Sequence, residues 1–129
     1  MKLLLDSQVL LWTIYAPHLL TERVRLLARD PATELIVSHA SLWELLGKIG
    51  RGKLLLAGTS VDTAMERIGA LGVTLIAVEL DDIVIAAKLP KHHADPFDRV
   101  IIAQGMNWRL PVASSDGMFP NYDIEVIWR

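Results

Sequence analysis

Leu3-Leu4-Leu5-Asp6-Ser7 is the stretch that decides the fold. Three consecutive leucines make a short unbroken apolar run, the pattern of a strand buried on both faces, and the polar pair behind them ends it. Similar short runs recur at Leu35-Ile36-Val37 and at residues 73–78, 110–113 and 124–127. Helical patterns lie between them. Residues 9–14 cluster apolar side chains and stop before Pro17, and residues 19–29 start near Thr21 as N-cap with Glu22 just inside. Residues 38–49 place Leu42, Leu45, Leu46 and Ile49 on one face, and residues 61–71 are closed by Gly72. Residues 79–89 end at Pro90, and Asp95-Pro96 opens a helix to about Trp108 with Ile101, Ile102 and Gly105 inward. Buried strands alternating with helices predict an α/β protein whose mainly parallel sheet is covered on both faces.

Composition narrows the class further. A chain of 129 residues, 52% apolar and with net charge −2, suits one domain over residues 1–129 and is far from the composition of a disordered chain. The absence of Cys excludes a disulfide scaffold and a cysteine zinc site, and fits a reducing cytoplasm. Mean hydropathy is high at +0.35. A membrane span needs about 20 mainly apolar residues, and charges interrupt every candidate stretch. Met1 to Leu5 resembles a leader only until Asp6 breaks the run. The expectation is a cytoplasmic domain without a membrane segment, its surplus apolar surface covered by another subunit or partner.

In sheets of this kind ligands bind beyond the carboxyl ends of the strands. Asp6 directly follows the first strand, and Asp116 follows the run at 110–113. Asp98 stands three and four residues before Ile101 and Ile102, so it shares their inward face. Glu44 falls in the second turn of the helix behind the second strand. Four carboxylates from four distant segments are thus expected to converge. Clustered like charges repel unless cations neutralise them, and oxygen donors suit hard divalent ions, Mg²⁺ or Mn²⁺. Such a centre activates water for in-line attack on a phosphodiester.

Each acid also has a structural alternative. Asp6 is placed to cap the following helix, and Asp116-Gly117 spells a turn. Glu44 stands three residues after Ser41, a capping-box spacing, and four before Lys48, an ion-pair spacing. Asp95 before Pro96 is well suited to be an N-cap, whereas Asp98 in the first turn points inward. Asp98 is the preferred ligand, and Asp95 a supporting or alternative one.

Taken together, these residues resemble the PIN-domain ribonucleases of the VapC-like type, the toxins of type II toxin–antitoxin pairs. The matching segments are Leu3-Leu4-Leu5-Asp6-Ser7-Gln8-Val9-Leu10-Leu11-Trp12, Ser38-His39-Ala40-Ser41-Leu42-Trp43-Glu44-Leu45, His92-His93-Ala94-Asp95-Pro96-Phe97-Asp98-Arg99-Val100-Ile101-Ile102-Ala103-Gln104 and Ser114-Ser115-Asp116. They follow in order over nearly the whole chain, and the part from Asp95 to Gln104 is the most specific. The resemblance implies a three-layer α/β/α fold around a central mainly parallel sheet. It further implies an acidic Mg²⁺ or Mn²⁺ site, cleavage of single-stranded or loop RNA, a homodimer, and inhibition by a small cognate antitoxin. Carried over by position, Asp6, Glu44, Asp98 and Asp116 match the family's acidic residues. Ser7 supplies the hydroxyl after the first Asp, and Ser114 stands where the family commonly has Thr. The two-Asp spelling leaves the third ligand open between Asp95 and Asp98.

Basic residues are local rather than dominant. Lys48, Arg51 and Lys53 adjoin the Glu44 helix, and they, with His92, His93 and Arg99 beside the Asp98 motif, are candidate RNA contacts. Trp12 and Trp43, among apolar neighbours, suit core or interface positions better than base-stacking ones. Two rival functions follow. Aspartyl-phosphate chemistry of the dehalogenase type needs an acid two residues after Asp6, where Gln8 stands. A catalytically idle scaffold binding RNA or protein is the alternative from a different class.

Overall fold

The computed structural model describes residues 1–54, 58–92 and 94–129. The described residues form five strands: β1 (Lys2–Leu5), β2 (Glu34–Ser38), β3 (Thr74–Ile76), β4 (Val112–Ala113) and β5 (Val126–Ile127). Six α-helices accompany them: α1 (Ser7–Tyr15), α2 (Glu22–Arg29), α3 (His39–Gly50), α4 (Val61–Ala70), α5 (Leu80–Lys88) and α6 (Pro96–Asn107). All pairings are parallel and the strand order is β3-β2-β1-β4-β5.

The leucine run is buried on both faces, as expected. Leu3 and Leu5 enter one core with Val9, Val24, Leu45 and Ile68, while Leu4 enters a second core with Ile36, Ile101, Ile102 and Phe119. Leu35 and Val37 of β2 likewise face the first core, with Ile36 in the second. Period-two alternation along the strands thus splits the apolar residues between two helical layers, giving an α/β/α sandwich. Helices α1 to α4 connect β1 to β2 to β3, and α5 and α6 carry the chain back to β4. The direction of travel along the sheet therefore reverses beside β1. The switch point lies between β1 and β4, where Leu4 pairs Val112 and Leu5 pairs Ala113.

Several boundaries differ from expectation for local reasons. The helix expected within 19–29 begins at Glu22 with Thr21 as its cap, accepting from Val24 N as anticipated, while Leu19 belongs to a separate 3₁₀ turn, Pro17–Leu19. The run at 110–113 yields a two-residue strand, and the 73–78 run narrows to Thr74–Ile76. Ser41 is not a cap: Ser38 holds that place by accepting from Ala40 N at 3.1 Å, and Ser41 is fully buried. Glu44 is thereby released from the capping box. Trp12 joins the first core and tilts against Trp128 at 5.8 Å. Trp43 is not a core residue, because 74% of it is exposed. At 100° per residue it lies off the Leu42–Leu45–Ile49 stripe that α3 buries.

Helix α6 is fastened to α5 at both ends. Asp82 of α5 is buried and accepts from Asn107 Nδ2 at 3.0 Å, Trp108 Nε1 at 3.1 Å and Gln104 Nε2 at 3.2 Å. Burial alone would raise its pKa, yet the bonds from Asn107, the Glu79 amide, Gln104 and Trp108 hold it below the usual value. At the other end Arg99 donates to the carbonyls of Ala86, Leu89 and Pro90. Gly105 lets α6 close on the sheet, since a Cβ there would meet Val112 Cγ2 at 2.8 Å.

Candidate active site

Asp6 leaves the carboxyl end of β1, its amide donating to Ala113 O at 3.1 Å. It caps α1 by accepting from Val9 N at 2.7 Å, and its residue is 4% exposed. The capping role therefore holds, and it leaves Asp6 in the lining of the cleft. Capping uses one carboxylate oxygen and aims the group at the switch point. Burial raises its pKa to about 6, against hydrogen bonds from Ser114 and Val9, with the charges of Asp116 and Glu44 adding to the rise.

Asp98 lies in the first turn of α6. The cap itself is Asp95, which accepts from Phe97 N at 2.8 Å and Asp98 N at 3.1 Å. Asp98 is half-buried, and its pKa is pushed up to about 7 by burial and then by the charges of Asp95, Glu44, Asp6 and Asp116. One carboxyl group that feels four others is the electrostatic signature of convergence. Asp116 follows β4. Its amide donates to Ser114 Oγ at 3.1 Å, and its Oδ1 accepts from Met118 N at 2.8 Å. Glu44 reaches the cleft from α3 with its side chain 10% exposed, and Lys48 Nζ stands 3.5 Å from its Oε2.

Asp6, Ser7, Glu44, Lys48, Asp95, Asp98 and Asp116 line one cleft of about 340 Å³. Leu11, Leu45 and Leu54 give it an apolar wall, and Gln8 and Ser115 complete it. These five went unremarked as site residues, although all but Leu11 adjoin a predicted one. The Ser7 hydroxyl is buried without a hydrogen-bond partner among the described residues. An all-oxygen donor set with an orphaned hydroxyl suits a hard divalent cation in kind. The spacing is looser than a finished coordination shell: among the described residues no three His, Asp or Glu side chains are gathered closely enough to hold a metal ion.

The candidate RNA contacts separate. Lys48 lines the cleft, while Arg51 and Lys53 are exposed just behind α3. His92 packs its ring edge-on against Tyr122 at 4.9 Å. Three α5 and post-α5 carbonyls engage the guanidinium of Arg99, so its main role is in the fold. His93 lies outside the described residues.

A parallel α/β/α sandwich with carboxylates gathered at its switch point defines the class: an acidic-cleft protein built on a three-layer sheet. The chain belongs to the PIN-domain family, whose model matches residues 3–125. Solved structures share the fold. A chain of VapBC2 from Rickettsia felis, bound to a DNA fragment from their promoter, aligns with TM-score 0.73 at 12% identity over 100% of both chains. FitAcB from Neisseria gonorrhoeae aligns with TM-score 0.69 at 23% identity, over 97% of this chain and 96% of that one. Mycobacterium tuberculosis VapC20, a toxin that cleaves the sarcin–ricin loop, aligns with TM-score 0.65 at 16% identity, over 98% and 99%. No curated protein sequence matches.

Proposed function

We propose that this PIN-domain protein is a metal-dependent endoribonuclease that hydrolyses RNA phosphodiester bonds as the toxin of a toxin–antitoxin pair. The observation that carries the reading is the Asp98 carboxyl, held near the charges of Asp95, Glu44, Asp6 and Asp116 in one open cleft. Asp6, Asp98 and Asp116 would hold Mg²⁺ or Mn²⁺, with Glu44 and Asp95 in support. When bound, the ion supplies charge neutralisation at phosphate and a more acidic water.

The chain's own groups prepare that cleft. Val9 N–H and Ser114 restrain the Asp6 carboxylate, so it is oriented before any ligand arrives. Asp95 fixes the first turn of α6, which sets the direction of Asp98. The Ser7 hydroxyl is free to orient a water or a phosphate oxygen at the cleft wall. Lys48 balances Glu44 and offers its ammonium to substrate phosphate. The VapBC and FitAcB relatives support a small cognate antitoxin as partner, and we further propose a second copy of this chain in a homodimer. No described helix is long and apolar enough to cross a membrane. The proposed setting is the cytoplasm.

The test is cleavage of a mixed structured RNA with Mg²⁺ or Mn²⁺, beside EDTA and Asp6→Asn preparations. Cleavage that needs both the ion and Asp6 supports the reading. Activity retained in EDTA or in Asp6→Asn would overturn it. If no RNA is cut while the RNA is bound, the idle-scaffold function replaces it.

A further inference from the structure

Helix α5 is apolar on two opposite faces, and the fold covers only one of them. Ala86 and the cap residue Leu89 are buried beside Asp82, and Ile85 packs against the second core. Leu80, Ile83 and Val84 turn the other way and are 73%, 51% and 42% exposed. With Ala87, also exposed, they repeat at i, i+3, i+4 and i+7, the spacing of a helix face that packs against something. At a helical turn of about 100° per residue, this stripe lies about 180° from the buried one. The remaining exposed large apolar side chains are scattered, with at most two on any other described helix. Helix α5 presents three in one stripe.

The charges beside the stripe identify what covers it. Asp81 and Lys88 are two turns apart, so both lie on one flank, the acid at the amino end and the base at the carboxyl end. Glu79 lies on the opposite flank, at the amino end. Among the described residues the ion pairs are Lys2–Glu34 and Lys48–Glu44, so Asp81 and Lys88 are left without one. A twofold axis between two antiparallel α5 helices sets Asp81 of each copy beside Lys88 of the other. In that register Leu80 faces the small Ala87, and Ile83 and Val84 meet at the centre. Parallel helices would instead bring Asp81 against Glu79, acid against acid. An apolar centre with its charges on the rim is the composition of a protein interface. A membrane-surface helix carries Lys and Arg along its polar face, whereas the first turn of α5 holds Asp81 and Asp82. A standard interface hides roughly 800 Å² per partner, about a tenth of the 7163 Å² surface of this chain. Nine helical residues span only about 14 Å, so α5 forms the centre of that contact and its neighbours the rim.

Resting on the homodimer proposed above, we infer that the outward stripe of α5 is the face through which two copies of this chain pair, antiparallel about a twofold axis and registered by Asp81 of each copy against Lys88 of the other. The occupant is a second copy because the order of charges along the stripe is complementary to itself reversed. The pairing bears on the cleft as well. Carbonyls of Ala86, Leu89 and Pro90 at the end of α5 hold Arg99, the neighbour of Asp98, so the paired helix and the turn carrying that acid are fastened together.

Sedimentation velocity of the full chain over a concentration series tests this, with RNA cleavage by the same preparation run beside it. Wild type should pass from the mass of one copy, 14.3 kDa, to twice that as concentration rises. Ile83→Asp puts a charge at the apolar centre and should weaken pairing about 100-fold, with circular dichroism unchanged because the position is exposed in a single copy. Asp81→Lys and Lys88→Asp should each weaken it about 10-fold by setting like charges together. The double variant carrying both exchanges should pair as wild type does. An equimolar mixture of the two single variants should pair more tightly than either alone. Leu26→Asp, on the exposed side of α2, should change nothing. A dimer indifferent to Ile83→Asp and to both charge reversals overturns the α5 face and leaves the homodimer standing. Weakening by the single reversals without recovery in the double variant overturns the antiparallel register. A chain that keeps the mass of one copy at every concentration overturns the homodimer and the α5 face together, and the cleavage assay then judges the nuclease reading separately.

Discussion

Asp98 and Asp6 carry opposite demands, since the fold buries them and the site needs their charge. The usual carboxylate value is 3.8, while Asp98 sits at about 7 and Asp6 at about 6. Between those limits the native chain holds protons that the unfolded chain has released, so stability falls as pH rises through the window. Urea titrations in EDTA at pH 5 and pH 8 should show wild type losing stability with pH, and Asp98→Asn losing less. An equal pH slope in both proteins would contradict the assigned burial. With Mg²⁺ or Mn²⁺ present, Asp6→Asn and Asp98→Asn should each lower cleavage by on the order of 100-fold or more, with the fold retained by circular dichroism. The acids themselves were legible in the sequence, because a polar residue right behind a buried strand or in an inward first turn has few places to point. The exposure of Trp43 was open to the same helical arithmetic, but its apolar sequence neighbours suggested otherwise.

At the scale of elements, the α5–α6 pair explains what the sequence concealed. Asp82 drew no notice in the sequence and Arg99 reads there as a candidate RNA contact, yet each finds partners across the α5–α6 pair. Such tertiary hydrogen bonds leave no trace in local spacing. Replacing Asp82 with Ala removes the acceptor shared by the Glu79 amide and the side chains of Gln104, Asn107 and Trp108, and should cost about 3 kcal/mol in a denaturant titration. Arg99→Ala should cost about 1–3 kcal/mol while leaving the salt slope of RNA binding unchanged, because its guanidinium is engaged with carbonyls. Lys48→Ala should reduce that slope by about one. Strand positions were readable from their apolar runs, whereas their ends depended on pairing partners that only the sheet supplies.

For the whole molecule, ligation and stability are coupled. A divalent ion that binds only the folded cleft adds RT ln(1 + [L]/Kd) to the unfolding free energy, so the melting temperature rises with its free concentration. Differential scanning fluorimetry with Mn²⁺ should therefore show a shift for wild type, growing from pH 6 to pH 8 as protons cease to compete. Asp6→Asn and Asp98→Asn should lose most of it. A shift of equal size in all three proteins would place the ion elsewhere. The α/β class and the layered sheet were readable because buried parallel strands have a distinctive spelling. The strand order was not, since the sequence carries no mark of which strands become neighbours.

That order has a consequence for how the protein comes into being. Asp6 and Asp116 stand together only because β4 pairs with β1, and β4 belongs to the far end of the chain. During vectorial synthesis a ribosome extrudes Asp6 and Glu44 well before, and Asp98 shortly before, the segment that seats Asp116. Until β4 emerges and pairs with β1, the growing polypeptide therefore has an unfinished cleft. For a protein whose proposed work is to cut RNA, such ordering is a built-in delay: its own messenger and ribosome are clear of the cleft until the last strands close the sheet.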